Sequence, residues 1–216
     1  MTTVLFIHGL ETGPRGAKSI ALEQAGFSVI AEQMPCGRRG AVRDPVVWLT
    51  FGSMAAAALV ATARFGTMAF MLSGVFFAVT LGFVRSRLIR RMVRRSLEVQ
   101  TRLLAKHQVD VVVGSSFGGA IGVELLARGA WKGPTVLLCP AHRLIAERTW
   151  TTAPSLPAES GHVLVVHARQ DETVPIDHSR WLVRNTPAKL IEVDDDHRLT
   201  ASATAENLKR WVEAAS

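Results

Sequence analysis

The chain has only two cysteines, Cys36 and Cys139, in 216 residues. That excludes a disulfide framework, and because each closes an apolar run that reads as a strand, both are expected as buried thiols. Ligand-spaced His/Cys clusters are absent as well, so no metal or cofactor is expected. The sequence opens directly into the run MTTVLFIHG, with no basic stretch ahead of a cleavage site, and export is not signalled. Repeats are lacking, as is low complexity beyond the alanines at Ala55 to Ala58. Acidic residues are scarce in one place. Between Gly37 and Ser96 ten arginines (Arg38, Arg39, Arg43, Arg64, Arg85, Arg87, Arg90, Arg91, Arg94, Arg95) meet a single acid, Asp44, a local charge of +9 against +7 for the whole chain. The remainder is therefore slightly acidic and is no cationic binding surface. No aromatic platform or recognition motif accompanies the arginines, so nucleic acid is not an expected partner.

What is present points to one catalytic domain with an elaboration. Short apolar runs at Val4 to Ile7, Ser28 to Ala31, Val109 to Val113, Thr135 to Cys139, Val163 to Ala168 and Lys189 to Val193 read as strands. Helical patterns lie between most of them, over residues 17–25, 97–107, 118–128, 178–184 and 203–214. Strands alternating with helices predict an α/β class, with a mostly parallel sheet of about six strands and helices on both faces.

Gly114-Ser115-Ser116-Phe117-Gly118 follows the strongest strand signal and precedes a helix. That is the context of a G-x-S-x-G elbow, where glycines two residues either side of a serine permit a turn tight enough to hold its Oγ above the sheet. The framing selects Ser116 as nucleophile over Ser115. A serine hydroxyl needs a base, and the base needs an orienting acid. Asp171 follows the fifth strand and His197 the sixth, in the order Ser, acid, His. Glu172 or one of Asp194 to Asp196 is the alternative acid. Of the other histidines, His107 and His162 read as turn residues, His142 as a loop residue, His167 as a strand end, His178 as helical and His8 as a turn-stabilising residue. The oxyanion hole is assigned to the N–H of Phe117, after the nucleophile, and that of Leu10, in the turn after the first strand.

The stretch Phe-Ile-His-Gly-Leu-Glu-Thr-Gly-Pro-Arg-Gly-Ala-Lys-Ser, the elbow Gly-Ser-Ser-Phe-Gly-Gly, and the Asp…Val-Pro and Asp-His endings resemble the small bacterial YqiA-like esterases of the α/β-hydrolase superfamily. The resemblance covers residues 1–36 and 97–216 and implies an α/β-hydrolase fold and carboxylic-ester hydrolysis without a cofactor. It does not extend to residues 37–96.

That segment holds two long uncharged runs, Val46 to Ala63 and Phe65 to Val84, separated by Arg64. As helices they would be roughly 27–30 Å each, so an inserted hydrophobic helical hairpin is expected, long enough to span a bilayer. Small residues four apart, Ser53/Ala57/Ala61 and Gly74/Ala78/Gly82, suit close contact between its arms. Flanking arginines would hold both ends on the cytoplasmic face, and Arg85 to Arg95 would form an interfacial helix on anionic lipid. The reading is a membrane-associated serine hydrolase that cleaves an apolar ester or thioester and meets membrane lipid through residues 46–95, at the cytoplasmic face of the cell membrane. The alternatives are a soluble esterase whose insert is a lid or a homo-oligomer contact, and a catalytically idle membrane adaptor.

Overall fold

The computed structural model describes residues 1–10, 12–35 and 45–216, with the backbone alone at 45–47, 49–50, 61, 67–70 and 72. The expected buried thiol Cys36, the first basic flank (Arg38, Arg39, Arg43) and Asp44 lie outside the described residues. In chain order the elements are β1 (Thr3–Ile7), α1 (Ala17–Gln24), β2 (Ser28–Ile30), α2 (Pro45–Phe65), α3 (Thr67–Lys106), β3 (Val111–Ser115), α4 (Phe117–Ala127), β4 (Thr135–Leu138), α5 (His142–Thr149), β5 (Val163–Ala168), α6 (Asp177–Val183), β6 (Lys189–Val193) and α7 (Ala205–Ala215).

The six strands form one sheet in the order β2-β1-β3-β4-β5-β6, each neighbouring pair parallel. Strand side chains alternate between two covered faces, which is why the strands read as nearly unbroken apolar runs. Val4, Phe6, Val111, Val113, Val136 and Leu138 pack with Leu22 of α1 and Leu208 and Trp211 of α7. On the other face Leu5, Ile7 and Val112 meet Leu97 and Leu103 of α3 and Ile121 and Leu125 of α4. The chain leaves β1 toward one edge and returns to build β3 to β6 toward the other. The carboxyl ends of β1 and β3 therefore flank the point where the strand order reverses, the usual crevice of an open α/β sheet.

The elaboration differs from expectation in several respects. The turn falls at Gly66, with φ +73, two residues beyond Arg64. The second arm, the basic helix and the helix over 97–107 are one continuous helix, α3, of 40 residues and about 60 Å. Nothing between Gly82 and Lys106 breaks it, since the stretch holds neither glycine nor proline. Ser86, Ser96, Leu97, Gln100 and Leu103 form its buried stripe against the body. Because α3 feeds the start of β3, it runs antiparallel to strands only about 17 Å long, and its first half overshoots the carboxyl edge beside α2. Phe51 and Phe77 join the two helices, ring centroids 5.4 Å apart.

Two of the small residues expected to join the arms do not face the other arm closely. A Cβ on Gly74 would face open space, and one on Gly82 would lie 3.1 Å from the Trp150 ring, which also packs edge-on to Phe83. Among the described residues no helix is long and apolar enough to cross a membrane, so the membrane-spanning hairpin is not supported. Part of the expected span, Gly82 and Phe83, touches Trp150, with Phe83 and Trp150 both still more than half exposed.

Candidate active site

Three loops leaving the carboxyl edge build the site. After β3 the chain turns through Ser116 at φ 55 and ψ −112, a conformation that non-glycine residues rarely hold. It is fixed from both sides: the Ser116 N–H donates to Leu138 O at 2.8 Å, and Ser116 O accepts from Ala141 N at 3.1 Å. The two glycines are steric necessities. A Cβ on Gly114 would fall 2.6 Å from Gly118 O, and one on Gly118 only 1.9 Å from Ile7 O, so the start of α4 lies directly against the end of β1.

Ser116 Oγ stands 2.9 Å from His197 Nε2, and His197 Nδ1 stands 2.7 Å from Asp171 Oδ2. The structure thus brings together the three residues that the motif and the chain order had selected. Since the carboxylate only accepts, His197 carries its proton on Nδ1, leaving Nε2 to accept from the serine hydroxyl. Asp171 Oδ1 also accepts the N–H groups of Thr173 at 2.9 Å and Val174 at 2.7 Å, and its side chain is fully buried. Burial alone would raise the acid, but hydrogen bonds from His167, His197 and the Val174 N–H, with the charge of His197, outweigh it and hold Asp171 well below the usual carboxylate range.

The alternative acids are placed elsewhere. Asp194 meets Arg169 at 3.1 Å. Asp195 accepts from Asp196 N at 2.8 Å, Ala201 N at 3.1 Å and Ser202 N at 2.7 Å, and so ties together the loop that carries His197. Lys18 of α1 donates to Arg198 O at 2.5 Å, bracing the same loop from beneath.

The turn proposed for the second oxyanion donor also lies at the serine. A Cβ on Gly9 would be 3.5 Å from Ser116 Cβ. Buried His8 holds this turn through two bonds, Nδ1 to Gly9 O at 2.7 Å and Nε2 from the Met34 N–H at 3.3 Å. The two partners require the Nδ1–H tautomer. With the Gly9 carbonyl held toward His8 and the peptide trans, the Leu10 N–H points the opposite way. Phe117 is the first residue of α4, so its N–H has no acceptor within the helix.

Sequence reasoning placed His167 as a strand end and weighed Asp195 only as an alternative acid, so it missed what both hold together; it missed Ser179 and Lys18 outright, and also α5, which begins at the supposed loop residue His142. Cys139 Sγ, His167 and Asp171 place their polar atoms within 4.8 Å of one another, the spacing of a metal site. Their chemistry does not fit one. Burial pushes the Cys139 thiol up to about 12, whereas metals bind the thiolate, and both ring nitrogens of His167 are engaged.

No family model matches the chain, and no curated protein does. Solved structures do. A Xanthomonas campestris protein assigned to the α/β hydrolase superfamily superposes with a TM-score of 0.57 at 20% identity, over 100% of this chain and 96% of its own. A monoacylglycerol lipase of Paleococcus ferrophilus gives 0.56 at 14% identity, over 99% of this chain and 95% of its own. Est1E of Butyrivibrio proteoclasticus gives 0.52 at 15% identity, over 99% and 88%. With its six parallel strands, its serine on a strand-to-helix elbow and these neighbours, the chain has the α/β-hydrolase fold.

Proposed function

We propose that the protein is a serine hydrolase that cleaves carboxylic esters or thioesters carrying an apolar group. The observation that carries this reading is the unbroken line Asp171, His197, Ser116, at 2.7 and 2.9 Å, ending on a serine held in a strained elbow. Ser116 Oγ attacks the acyl carbon as its proton passes to His197 Nε2, and Asp171 stabilises the imidazolium so formed. His197 returns that proton to the leaving alcohol or thiol, giving the acyl-enzyme, and then takes one from the water that releases the acid. The N–H groups of Phe117 and Leu10 hold the oxyanion in both halves.

The test is intact-mass analysis after treatment with an alkyl fluorophosphonate. One adduct on the wild type and none on Ser116→Ala is expected; a folded wild type that stays unlabelled would remove the hydrolase and leave the idle adaptor.

The same proposal places the enzyme at a lipid surface, with the arm of α2 and the first half of α3 as its contact. Leu59, Phe65, Met71, Val75 and Phe76 are exposed along the arm, Phe65 by 77%. Arg85, Arg87, Arg90, Arg94 and Arg95 are exposed just below it on α3. Apolar side chains beyond a cationic collar suit shallow insertion into an anionic leaflet, with the arginines at the headgroups and the Ser116 edge turned to the bilayer. Flotation with vesicles containing anionic lipid is expected. Active enzyme that remains at the bottom of the gradient would instead make the arm a lid or a contact between copies.

A further inference from the structure

Asp171 faces a second imidazole besides His197. His167, at the end of β5, is fully buried, and its Nε2 stands 2.9 Å from Val174 O and 3.2 Å from Asp171 Oδ2. Both neighbours are acceptors, so Nε2 carries a proton. Its Nδ1 stands 2.7 Å from the hydroxyl of Ser179, a buried residue of α6. The acid loop is thereby clamped on two sides. Its own N–H groups at Thr173 and Val174 close onto Asp171 Oδ1, while its carbonyl at Val174 is held by His167.

We infer that His167, steadied by Ser179, is a positioning residue that fixes the Asp171 carboxylate for His197. The inference rests on the serine-hydrolase reading and extends it by two residues which that mechanism does not use. His197 Nδ1 and His167 Nε2 share Asp171 Oδ2. A carboxylate held only by its own loop could rotate about its last bond, whereas a donor on the far side of the shared oxygen leaves one orientation. The groups facing Asp171 are His197 from the loop after β6, His167 from β5 and Cys139 from the end of β4, with Lys18 of α1 beyond Cys139. Cys139 is a buried thiol raised by its surroundings; it stays protonated and adds a weak S–H donor to the carboxylate beside the two imidazoles, which are the stronger donors on its side-chain face.

Side-chain reach supplies the test. A glutamine amide nitrogen can take the place of His Nε2, whereas an asparagine is too short to reach Val174 O. His167→Asn and Ser179→Ala are compared with His167→Gln and wild type by kcat per fluorophosphonate-titrated site, and by the low-field proton resonance of His197 Nδ1–H in substrate-free enzyme. His167→Asn is expected to lower kcat per titrated site about 10–100-fold with KM nearly unchanged, the cost of a misplaced catalytic group. It should also move or broaden the low-field resonance. His167→Gln should restore both, and Ser179→Ala should fall between. A loss of folded protein with unchanged kcat per site and an unchanged resonance would make His167 a packing residue and overturn the inference. If the wild type neither labels nor hydrolyses, the enzymatic reading fails on its own; a resonance that still depends on residue 167 would keep the clamp.

Discussion

The carboxyl edge of the sheet and the arm above it show opposite uses of the same chain. At the edge, nearly every polar group has a fixed partner: Asp171 alone receives from His197, Thr173 and Val174 and faces His167 at 3.2 Å. On the arm, large apolar side chains stand in solvent, with Leu59 exposed by 74%. A site that orients a proton transfer needs one geometry, and buried paired groups supply it. A surface left apolar is useful only if something else covers it. The two regions should therefore respond to substitution in different currencies, the edge in turnover and the arm in partition.

The edge gives the largest effects. Ser116→Ala is expected to reduce kcat on the order of 10⁶-fold, since a hydrolase without its nucleophile keeps only binding and the oxyanion donors. Asp171→Asn should cost on the order of 10⁴-fold, because an amide NH₂ facing His197 favours the tautomer that cannot accept the serine proton. Steady-state hydrolysis of a short p-nitrophenyl ester measures both. Neither change touches the arm, so vesicle flotation should be unaltered; a parallel loss of both properties would mean that the two regions are not separable.

The edge was also the more legible region in the sequence. Ser116, Asp171 and His197 could be found because tight geometry demands particular residues at particular spacings: Gly114 and Gly118 are required by contacts of 2.6 and 1.9 Å. Strands buried on both faces announce themselves as apolar runs, and β5 falls where the pattern put it; the edge strand β6 does too, although its residues are half-buried or exposed. His167 was not legible, because a histidine in a strand carries no local sign of what lies across from it. Its one signal was a polar residue inside an apolar strand four places before the acid. The arm misled for a different reason. Hydropathy reads composition along a helix, and α3 alternates duties along its length, exposed at Phe76, packed on Trp150 at Phe83 and on the sheet at Leu97. Charge-free runs set its expected ends, yet the backbone turns at Gly66, whose φ is +73, and α3 then runs on to Lys106 with no proline and with Gly74 and Gly82 both helical.

The arm's contribution can be isolated by replacing three of its exposed residues at once, Leu59→Ser, Phe65→Ser and Phe76→Ser. Each lost insertion removes about 1.5 kcal/mol or more, so vesicle partition should fall about 10³-fold. All three side chains are exposed, so hydrolysis of a soluble short ester should stay within about twofold of wild type. Changing Arg87, Arg90 and Arg95 to Gln should weaken binding to anionic vesicles by about 1 kcal/mol per residue and leave neutral vesicles unaffected. A triple serine variant that loses turnover of the soluble ester would show that the arm shapes the site itself.

The smallest effect comes from an exception inside the well-paired body. His142 is buried, with Nδ1 near Pro140 O at 3.2 Å and Nε2 without a partner. Burial, aided by the charges of His178 and Arg143 against the Pro140 hydrogen bond, pushes its imidazole down to about 4. The native protein thus keeps the ring neutral between that value and about 6.5, while the unfolded chain takes up a proton. Where the unfolded state binds more protons, stability rises with pH. The contribution is therefore complete above pH of about 6.5 and is lost as pH falls toward 4, by up to about 3 kcal/mol. His178 is also lowered by burial and adds in the same direction. Denaturant midpoints measured at intervals across this range should fall with pH in the wild type and fall less in His142→Gln, whose side chain does not titrate. Asp171 is held below the ordinary range, so its own loss of stability sets in only below about pH 5, and the two proteins are compared above that value. An equal slope in both proteins would mean that the ring is charged in the folded state near pH 6, and that the body holds a solvated histidine where the structure leaves one without a partner.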